Sequence, residues 1–301
     1  MAAVVAVVFF LLLVLLLPET PNAKSKFVVD ENILEFHLNL EYLEAEFFLY
    51  GSLGKGLDKL QPNLTGGGPP PVGARMAHLT PLIRNIFAQF GAQEIGHIRE
   101  IKSKIGELKR PLMNLSAQSF ATVINQAFGR PLYPLFDPYL NDINYLLASY
   151  IIPYVGLTGY VGSTPKLKTS ISRKLVAGLL AVESGQDAVV RSLLYERAMV
   201  RVMPYGITVA EFTDRISALR NKLGRNGIKD EGLVITSNNL KIKGKWKGNI
   251  LVGNRNSLAY GRTPKESLRI VYGSGKEQVP GGFYPRGAEG TIARKYLINK
   301  D

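Results

Sequence analysis

The sequence predicts an all-α fold, a bundle of four long helices, and three observations support that prediction. Apolar residues recur at alternating spacings of three and four over long stretches, the pattern of helices that bury one side. Clusters of glycine and proline, such as GGGPPPVG at 66–73, separate these stretches. The chain of 301 residues is also long enough to bury a large core without cross-links, and it contains no cysteine. We therefore expect helix packing alone to hold the fold together.

The long helices are expected at 30–59, 81–105, 142–161 and 168–202, and shorter ones at 116–128 and 208–223. The first has an acidic start, and the second begins at Pro81, because proline suits the first turn of a helix. Pro153 should interrupt the third, since it removes a backbone hydrogen bond and collides with the carbonyl of Ser149. The fourth should stop before Pro204, and the last at Gly224.

Residues 1–23 are predicted to be a secretory signal peptide, because an apolar run from Ala2 to Leu17 is followed by proline and then by small and polar residues. The run is a few residues short of the roughly 20 needed to span a bilayer, so a retained anchor is the weaker interpretation. Asn63 and Asn114 each begin a glycosylation sequon, which is compatible with export. We expect a secreted protein of the cell wall, the extracellular space or the vacuole.

Residues 24–224 are expected to form the helical bundle, and 225–301 an irregular extension, rich in glycine and lysine, packed on it. The net charge is +13, and the stretch KIKGKWKGN at 241–249 is especially basic. Such a surface attracts anionic polymers. The expected partners are an anionic cell-wall polymer or a small molecule rather than nucleic acid, because the chain has no nucleic-acid-binding motif. We expect a monomer or a small oligomer.

Three of the predicted helices each place a carboxylate on their apolar stripe. The stripe passes through Glu41 in the first helix, through Glu94 and His97 in the second, and through Glu183 and Gln186 in the fourth. Burying an unpaired carboxylate is costly, and facing carboxylates repel one another. Protons, hydrogen bonds or a cation must therefore neutralise them. Oxygen ligands with one imidazole suit iron, manganese or zinc, and residues three apart on a helix project to the same side.

The wider sequence is similar to the plant desiccation-related proteins of the ferritin-like superfamily. The similarity lies in the segments LEFHLNLEYLEAEFFLYGSLGKGLD, LTGGGPPPVGA, FGRPLYPLFDPY, NYLLASYIIPYVGLTGYVG, LVAGLLAVESGQDAVVRSLLYERA and PGGFYPRGAEGTIAR, which extend over nearly all of the chain after residue 23. The resemblance implies a ferritin-like four-helix bundle and a role in water-deficit or stress responses.

The same resemblance implies a metal site made of a glutamate from each of two helices and Glu-x-x-His from each of the other two. The residues that match this set are Glu41, Glu94, His97 and Glu183. Pro153 stands where the third-helix glutamate is expected, and Gln186 where the fourth-helix histidine is expected. We therefore expect either no metal or one iron, manganese or zinc ion, and not a complete di-iron site.

Other residues are expected around these ligands, namely Glu44, Gln186, Tyr150, Tyr154 and Tyr160. His37, one turn before Glu41, is expected at the helix surface, although it is near enough to join the site.

Three functions remain open at this point. The first is a protective or binding protein without enzymatic activity, in which the carboxylates form a metal-free polar core. The second is a metal-dependent oxidase, a ferroxidase or a metal store. The third is a metal-free acid-base catalyst or small-molecule binder, with Glu94, His97 and Glu183 as the acid and base. A pocket that reaches Glu94 and Glu183 would favour the third.

Overall fold

The computed structural model describes residues 21–235, 241–242, 245–246 and 249–298, with side chains over 27–235 and 249–298. Residues 1–20 of the predicted signal peptide lie outside this part of the chain, as do most side chains of the basic stretch 241–249. The helices are α1 (Pro21–Leu53), α2 (Leu57–Leu60), α3 (Pro81–Ile105), α4 (Ala117–Phe128), α5 (Asp142–Ile151), α6 (Pro153–Ser163), α7 (Ser170–Glu196), α8 (Val209–Gly224), α9 (Pro264–Val271) and α10 (Thr291–Ile298). Two antiparallel pairs of strands complete the fold, β1 (Arg201–Val202) with β2 (Ile207–Thr208) and β3 (Lys241–Ile242) with β4 (Lys245–Trp246).

Local sequence accounts for where the long helices end. Helix α1 stops at Leu53, earlier than predicted, because Gly54 adopts a φ of +67°, a conformation that terminates helices. The prediction for the fourth helix was also too long. Helix α7 ends at Glu196 because Arg201 and Val202 leave the helix and pair with Thr208 and Ile207.

The third long helix is divided into α5 and α6 at Ile152, as Pro153 predicted. Proline occupies the first position of α6, where its missing N–H group is tolerated. The stretch Asp142–Lys166, which contains α5 and α6, is long and apolar enough to cross a membrane by composition alone, but 89% of its apolar 18-residue window is buried inside the protein. The apolar composition therefore reflects a place in the core of the bundle.

Helix α1 lies at the centre of the all-α bundle, because every residue from Phe36 to Leu49 is buried. It packs along α3 on one side and against α6 on another, and α5 and α6 pack against α7. Aromatic rings fill the end of the bundle near Phe47, which stacks on Tyr145 at 4.7 Å between ring centroids. A helix buried on all sides has no solvated face for charged residues, so the three glutamates within this stretch need partners inside the protein.

The chain after α8 is fastened to the bundle by specific contacts in its described part. Asn39 of α1 donates to the carbonyl of Glu289 at 2.9 Å and accepts from its N–H at 2.8 Å. The hydroxyl of Tyr284 donates to the carbonyl of Asn39 at 2.7 Å. Buried Arg191 of α7 donates to the carbonyl of Asn249 at 2.9 Å. These bonds hold the C-terminal part against α1 and α7.

Candidate metal centre

A cluster of acidic side chains and one histidine lies at mid-length inside the bundle, where α1, α3 and α7 meet. Ligand atoms of four of them, on three helices, all lie within 4.8 Å of one another, and the four residues are Glu41, Glu94, His97 and Glu183. The three glutamate residues are at most 1% exposed. The structure thus brings together the four residues that the stripe pattern and the resemblance singled out.

His97 lies in the middle of the cluster and contacts three carboxylates. Its Nδ1 lies 3.0 Å from Glu41 Oε2, 3.2 Å from Glu94 Oε2 and 3.8 Å from Glu183 Oε1. Gln186, one turn after Glu183, donates from Nε2 to Glu94 Oε1 at 2.6 Å. Both oxygens of Glu94 therefore have a partner, and so do those of Glu41, whose Oε1 accepts from the hydroxyl of Tyr160. Glu183 lies at the edge of this network.

Several oxygens of the cluster have no hydrogen-bond partner although they are fully buried. These are both carboxylate oxygens of Glu183, Oε2 of Glu44 and Oε1 of Gln186. Buried polar atoms are almost always satisfied, and a buried carboxylate without a partner is among the costliest groups in a protein. A cation coordinated by these oxygens would remove the cost. Because carboxylate oxygens and one imidazole suit iron, manganese or zinc, the residues present fit such a metal ion.

The pKa values of the cluster follow from burial and mutual repulsion. Burial raises the pKa of Glu94 to about 8, and the charge of Glu41 adds to the rise. Burial also raises the pKa of Glu183 well above its usual range, with repulsion from Glu44 and Glu94 as the next cause. Burial opposes the charged form of His97, but the hydrogen bonds that its ring donates to Glu41 and Glu94 outweigh this effect and raise its pKa to about 11. Without a metal, the cluster is therefore held together by protons that a metal would displace.

Glu44 lies deeper in the site than its expected place beside the ligands. It is 1% exposed, and burial followed by repulsion from Glu94 and Glu41 raises its pKa well above the usual range. The residue of α6 that faces it is Gly156, one turn after Pro153. A Cβ atom at Gly156 would lie 2.8 Å from Glu44 Oε1 and 3.7 Å from Glu183 Oε2. The third helix thus has a space at Gly156 facing the cluster, one turn after Pro153, the position where the resemblance leads us to expect a glutamate.

The three tyrosines predicted near the ligands separate into two groups. Tyr160 of α6 donates a hydrogen bond to Glu41 Oε1 and so belongs to the site. Tyr150 and Tyr154 do not line it, because their hydroxyls donate to backbone carbonyls of residues 231 and 229 and their rings lie under the guanidinium of Arg220. Their helical spacing placed them correctly in the core but gave no information on which side of α5 and α6 they face.

His37 is buried, and the expectation that it lies at the helix surface is wrong. Its ring stacks on that of Tyr160 with centroids 4.0 Å apart, and its Nε2 lies 2.8 Å from the hydroxyl of Ser163. Burial lowers the pKa of His37 to about 4, so the imidazole is neutral at physiological pH. His37 therefore packs against Tyr160, the tyrosine that donates to Glu41.

A cleft of about 560 Å³ runs between α3 and α7 and reaches the cluster at His97. The side chain of His97 is 10% exposed, compared with 0% to 1% for its three glutamate neighbours. Gly96 and Gly178 line the cleft, and a Cβ at either would meet no atom within 4 Å. The cleft therefore gives small molecules a route to the imidazole edge of the site.

The two predicted glycosylation sites differ in their surroundings. Asn63 is exposed, whereas Asn114 is half-buried and its Oδ1 accepts from the N–H of Ser116 at 3.1 Å. Glycosylation at either position stays a prediction.

Comparison with known proteins agrees with this geometry. Residues 29–196 match the model of the ferritin-like domain. The chain is 58% identical over 261 residues to the desiccation-related protein PCC13-62 of Craterostigma plantagineum, covering 87% of this chain and 83% of that protein. It is 54% identical over 269 residues to the ferritin-like catalase Nec2 of Nesocodon mauritianus, covering 89% of this chain and 86% of that protein. No solved structure matches the chain.

Proposed function

Since the chain belongs to the ferritin-like family and has a desiccation-related plant protein among its relatives, we propose that it is a stress protein that removes hydrogen peroxide at a metal centre in its bundle. The observation that carries the proposal is the buried carboxylate of Glu183. Both of its oxygens lack a hydrogen-bond partner. One of them lies within 4.8 Å of ligand atoms of Glu41, Glu94 and His97. The name of the catalase relative supplies the substrate.

The reaction converts two molecules of hydrogen peroxide into two of water and one of oxygen. A manganese or iron ion held by Glu41, Glu94, His97 and Glu183 would supply the redox chemistry, which no side chain of this cluster can supply. The peroxide that is oxidised releases two protons, and the one that is reduced consumes two. No net proton exchange with solvent is needed, which suits a site whose carboxylates are almost completely buried.

The surrounding residues fix the ligands in place. Tyr160 donates to Glu41, and Gln186 donates to Glu94, so each of these carboxylates has one oxygen oriented by a neighbour. Such outer contacts would orient the two carboxylates toward a bound metal ion. The cleft at His97 admits a substrate as small as hydrogen peroxide, while the buried glutamates stay away from bulk water.

The metal-free acid-base hypothesis has less support. It requires a pocket that reaches Glu94 and Glu183, and the cleft between α3 and α7 is lined by His97 but by neither glutamate. A protective protein without turnover is the second candidate. The observation that favours it is Gln186, which stands where the resemblance leads us to expect a histidine ligand and offers a neutral amide in place of an imidazole.

Peroxide removal by the metal-loaded protein tests the proposal. The chain is stripped with a chelator, reloaded with manganese or iron, and assayed beside Glu183→Gln and a matched control, Glu196→Gln, which changes an exposed residue of the same helix. We expect wild type and the control to remove peroxide, and Glu183→Gln to lose at least tenfold in rate together with bound metal. Loaded wild type that leaves peroxide untouched would overturn the proposal in favour of the protective function.

A further inference from the structure

A second cleft, of about 500 Å³, lies at the end of the bundle where α3 and α5 begin and α7 ends. Its lining includes Thr80 and Asn141, which precede the two helices, and Arg197 and Arg201, which follow α7. We call it the end cleft. It shares none of its described lining residues with the cleft at His97, and its volume lies in the range of ligand pockets, about 300–1,000 Å³. The end cleft is therefore a candidate binding site separate from the metal centre.

The charges of the end cleft favour an anion. Arg197 and Arg201 carry +2 against −1 for Asp142, so the lining has a formal charge of +1 with its histidine neutral. The carboxylate of Asp142 is already used, because it accepts from the N–H of Thr80 at 2.8 Å and from its hydroxyl at 2.6 Å. Arg197 has exposed Glu196 beside it at 2.7 Å, whereas Arg201 donates to a backbone carbonyl at 2.5 Å. Since an exposed ion pair contributes little, both guanidinium groups are available to a carboxylate.

The end cleft also has a buried acceptor without a donor. Asn144 lines the cleft and is 1% exposed. Its Nδ2 donates to the carbonyl of Asp137 at 2.9 Å, but its Oδ1 has no hydrogen-bond partner. Because buried polar atoms are almost always paired, a ligand hydroxyl would satisfy this oxygen. Ile143, Val202 and Met203 give the cleft an apolar side, against which the carbon-bound hydrogens of a ligand would pack.

We propose that the end cleft binds a sugar acid, whose carboxylate pairs with Arg197 and Arg201 and one of whose hydroxyls donates to Asn144 Oδ1. A neutral sugar lacks the charge, and a simple carboxylate such as acetate lacks the hydroxyl. An amino acid with one carboxylate is a zwitterion without net charge, so it suits a positive lining less well. A free sugar acid and a uronate unit of an anionic polysaccharide both carry the required groups. The proposal does not depend on the metal centre.

The test is a nuclear magnetic resonance titration of the isotopically labelled full chain. The probes are galacturonate, galactose and acetate, with trigalacturonate in place of the polysaccharide. Arg201→Gln and Arg197→Gln each remove one guanidinium group from the cleft, and the matched control is Arg99→Gln, an exposed arginine of α3 that does not line it. Thermal unfolding shows whether each variant is folded.

We expect galacturonate to bind more tightly than galactose or acetate by about fivefold or more, and to shift the side-chain amide signal of Asn144. Arg201→Gln and Arg197→Gln should each weaken its binding by a similar factor, and Arg99→Gln should not. Tighter binding of trigalacturonate would assign the cleft to the polysaccharide, and equal binding would assign it to the free sugar acid. Wild type that does not bind galacturonate, equal binding of the three small probes, or wild-type affinity in either folded cleft variant would overturn the proposal. If one cleft variant fails to fold, the other decides.

Discussion

Replacing Glu183 by glutamine should stabilise the metal-free protein while it destroys the metal centre. The carboxyl group is 1% exposed, and neither of its oxygens has a partner. Burial and the neighbouring glutamates raise its pKa well above its usual range. The folded protein therefore holds this proton to a higher pH than the unfolded chain does. Glutamine has nearly the same shape, carries no charge in either state and removes this penalty.

The magnitude follows from the linkage between protons and stability. When the folded state holds one proton more than the unfolded state, the free energy of unfolding falls by about 1.4 kcal/mol for each unit of pH. The fall begins near the ordinary value of 4.5 and continues until the folded carboxyl ionises. The penalty at pH 7 therefore has an upper bound of about 3 kcal/mol, and relaxation of the site should lower it to about 1–3 kcal/mol. The stabilisation by Glu183→Gln should be close to zero near pH 4.5 and grow with pH.

Urea unfolding of both proteins in the presence of a chelator, at pH 5, 6 and 7, measures this difference directly. The same experiment with saturating manganese should reverse the order, because only wild type gains stability from the bound metal. If Glu183→Gln destabilises the metal-free protein at pH 7, or shifts its stability equally at all three pH values, then the carboxyl is satisfied in a way that the structure does not show and the reasoning fails.

Three further predictions concern the cleft, the protons and the fold. Gly178→Leu should fill the cleft and lower peroxide turnover at least several-fold with bound metal unchanged. Gly185→Leu, on the same helix but outside the cleft, should leave turnover unchanged. Equal rates in the two variants would exclude the cleft as the substrate route. Manganese affinity, followed by calorimetry, should rise about tenfold or more per pH unit between pH 6 and 8, because Glu94, with a pKa of about 8, must lose its proton to bind metal; a flat profile would contradict this. Arg110→Ala should destabilise the protein by about 3–5 kcal/mol in urea unfolding, because it leaves the carboxylate of Glu46 buried without its cation, and a loss under 1 kcal/mol would contradict the buried pair.

The sequence was sufficient for the bundle and for much of the site. Alternating spacings of three and four depend only on which residues are apolar, so they predicted the four long helices and placed Glu41, Glu94, His97 and Glu183 on stripes that meet. The bounds of α3 were predicted without error because Pro81 and the glycine at 106 mark its ends. The end of α7 was missed, since nothing local forbids helix before Pro204 and only the pairing of β1 with β2 ends it earlier.

What the sequence did not reveal depends on contacts between helices. Glu44 lies three residues after Glu41, so the pattern allowed it to face the cluster, but only the space at Gly156 shows that it does. His37 looked like a surface residue because a single polar position on a helix usually is one. Its burial follows from stacking on Tyr160 of α6, and such a pairing between distant segments leaves no periodic signal. The sign of the missing third-helix ligand in the sequence was Pro153, which stands where the resemblance leads us to expect a glutamate.

The most direct test of a metal-dependent peroxide-removing centre is the amount of oxygen evolved for each hydrogen peroxide consumed by the manganese- or iron-loaded protein. Simultaneous recording with an oxygen electrode and a peroxide assay gives this ratio. The centre described here predicts one oxygen for every two peroxide molecules, lost after chelation and in His97→Ala, and retained in Glu196→Gln. Oxygen evolution that persists in His97→Ala, or peroxide loss without oxygen, would contradict disproportionation at this cluster.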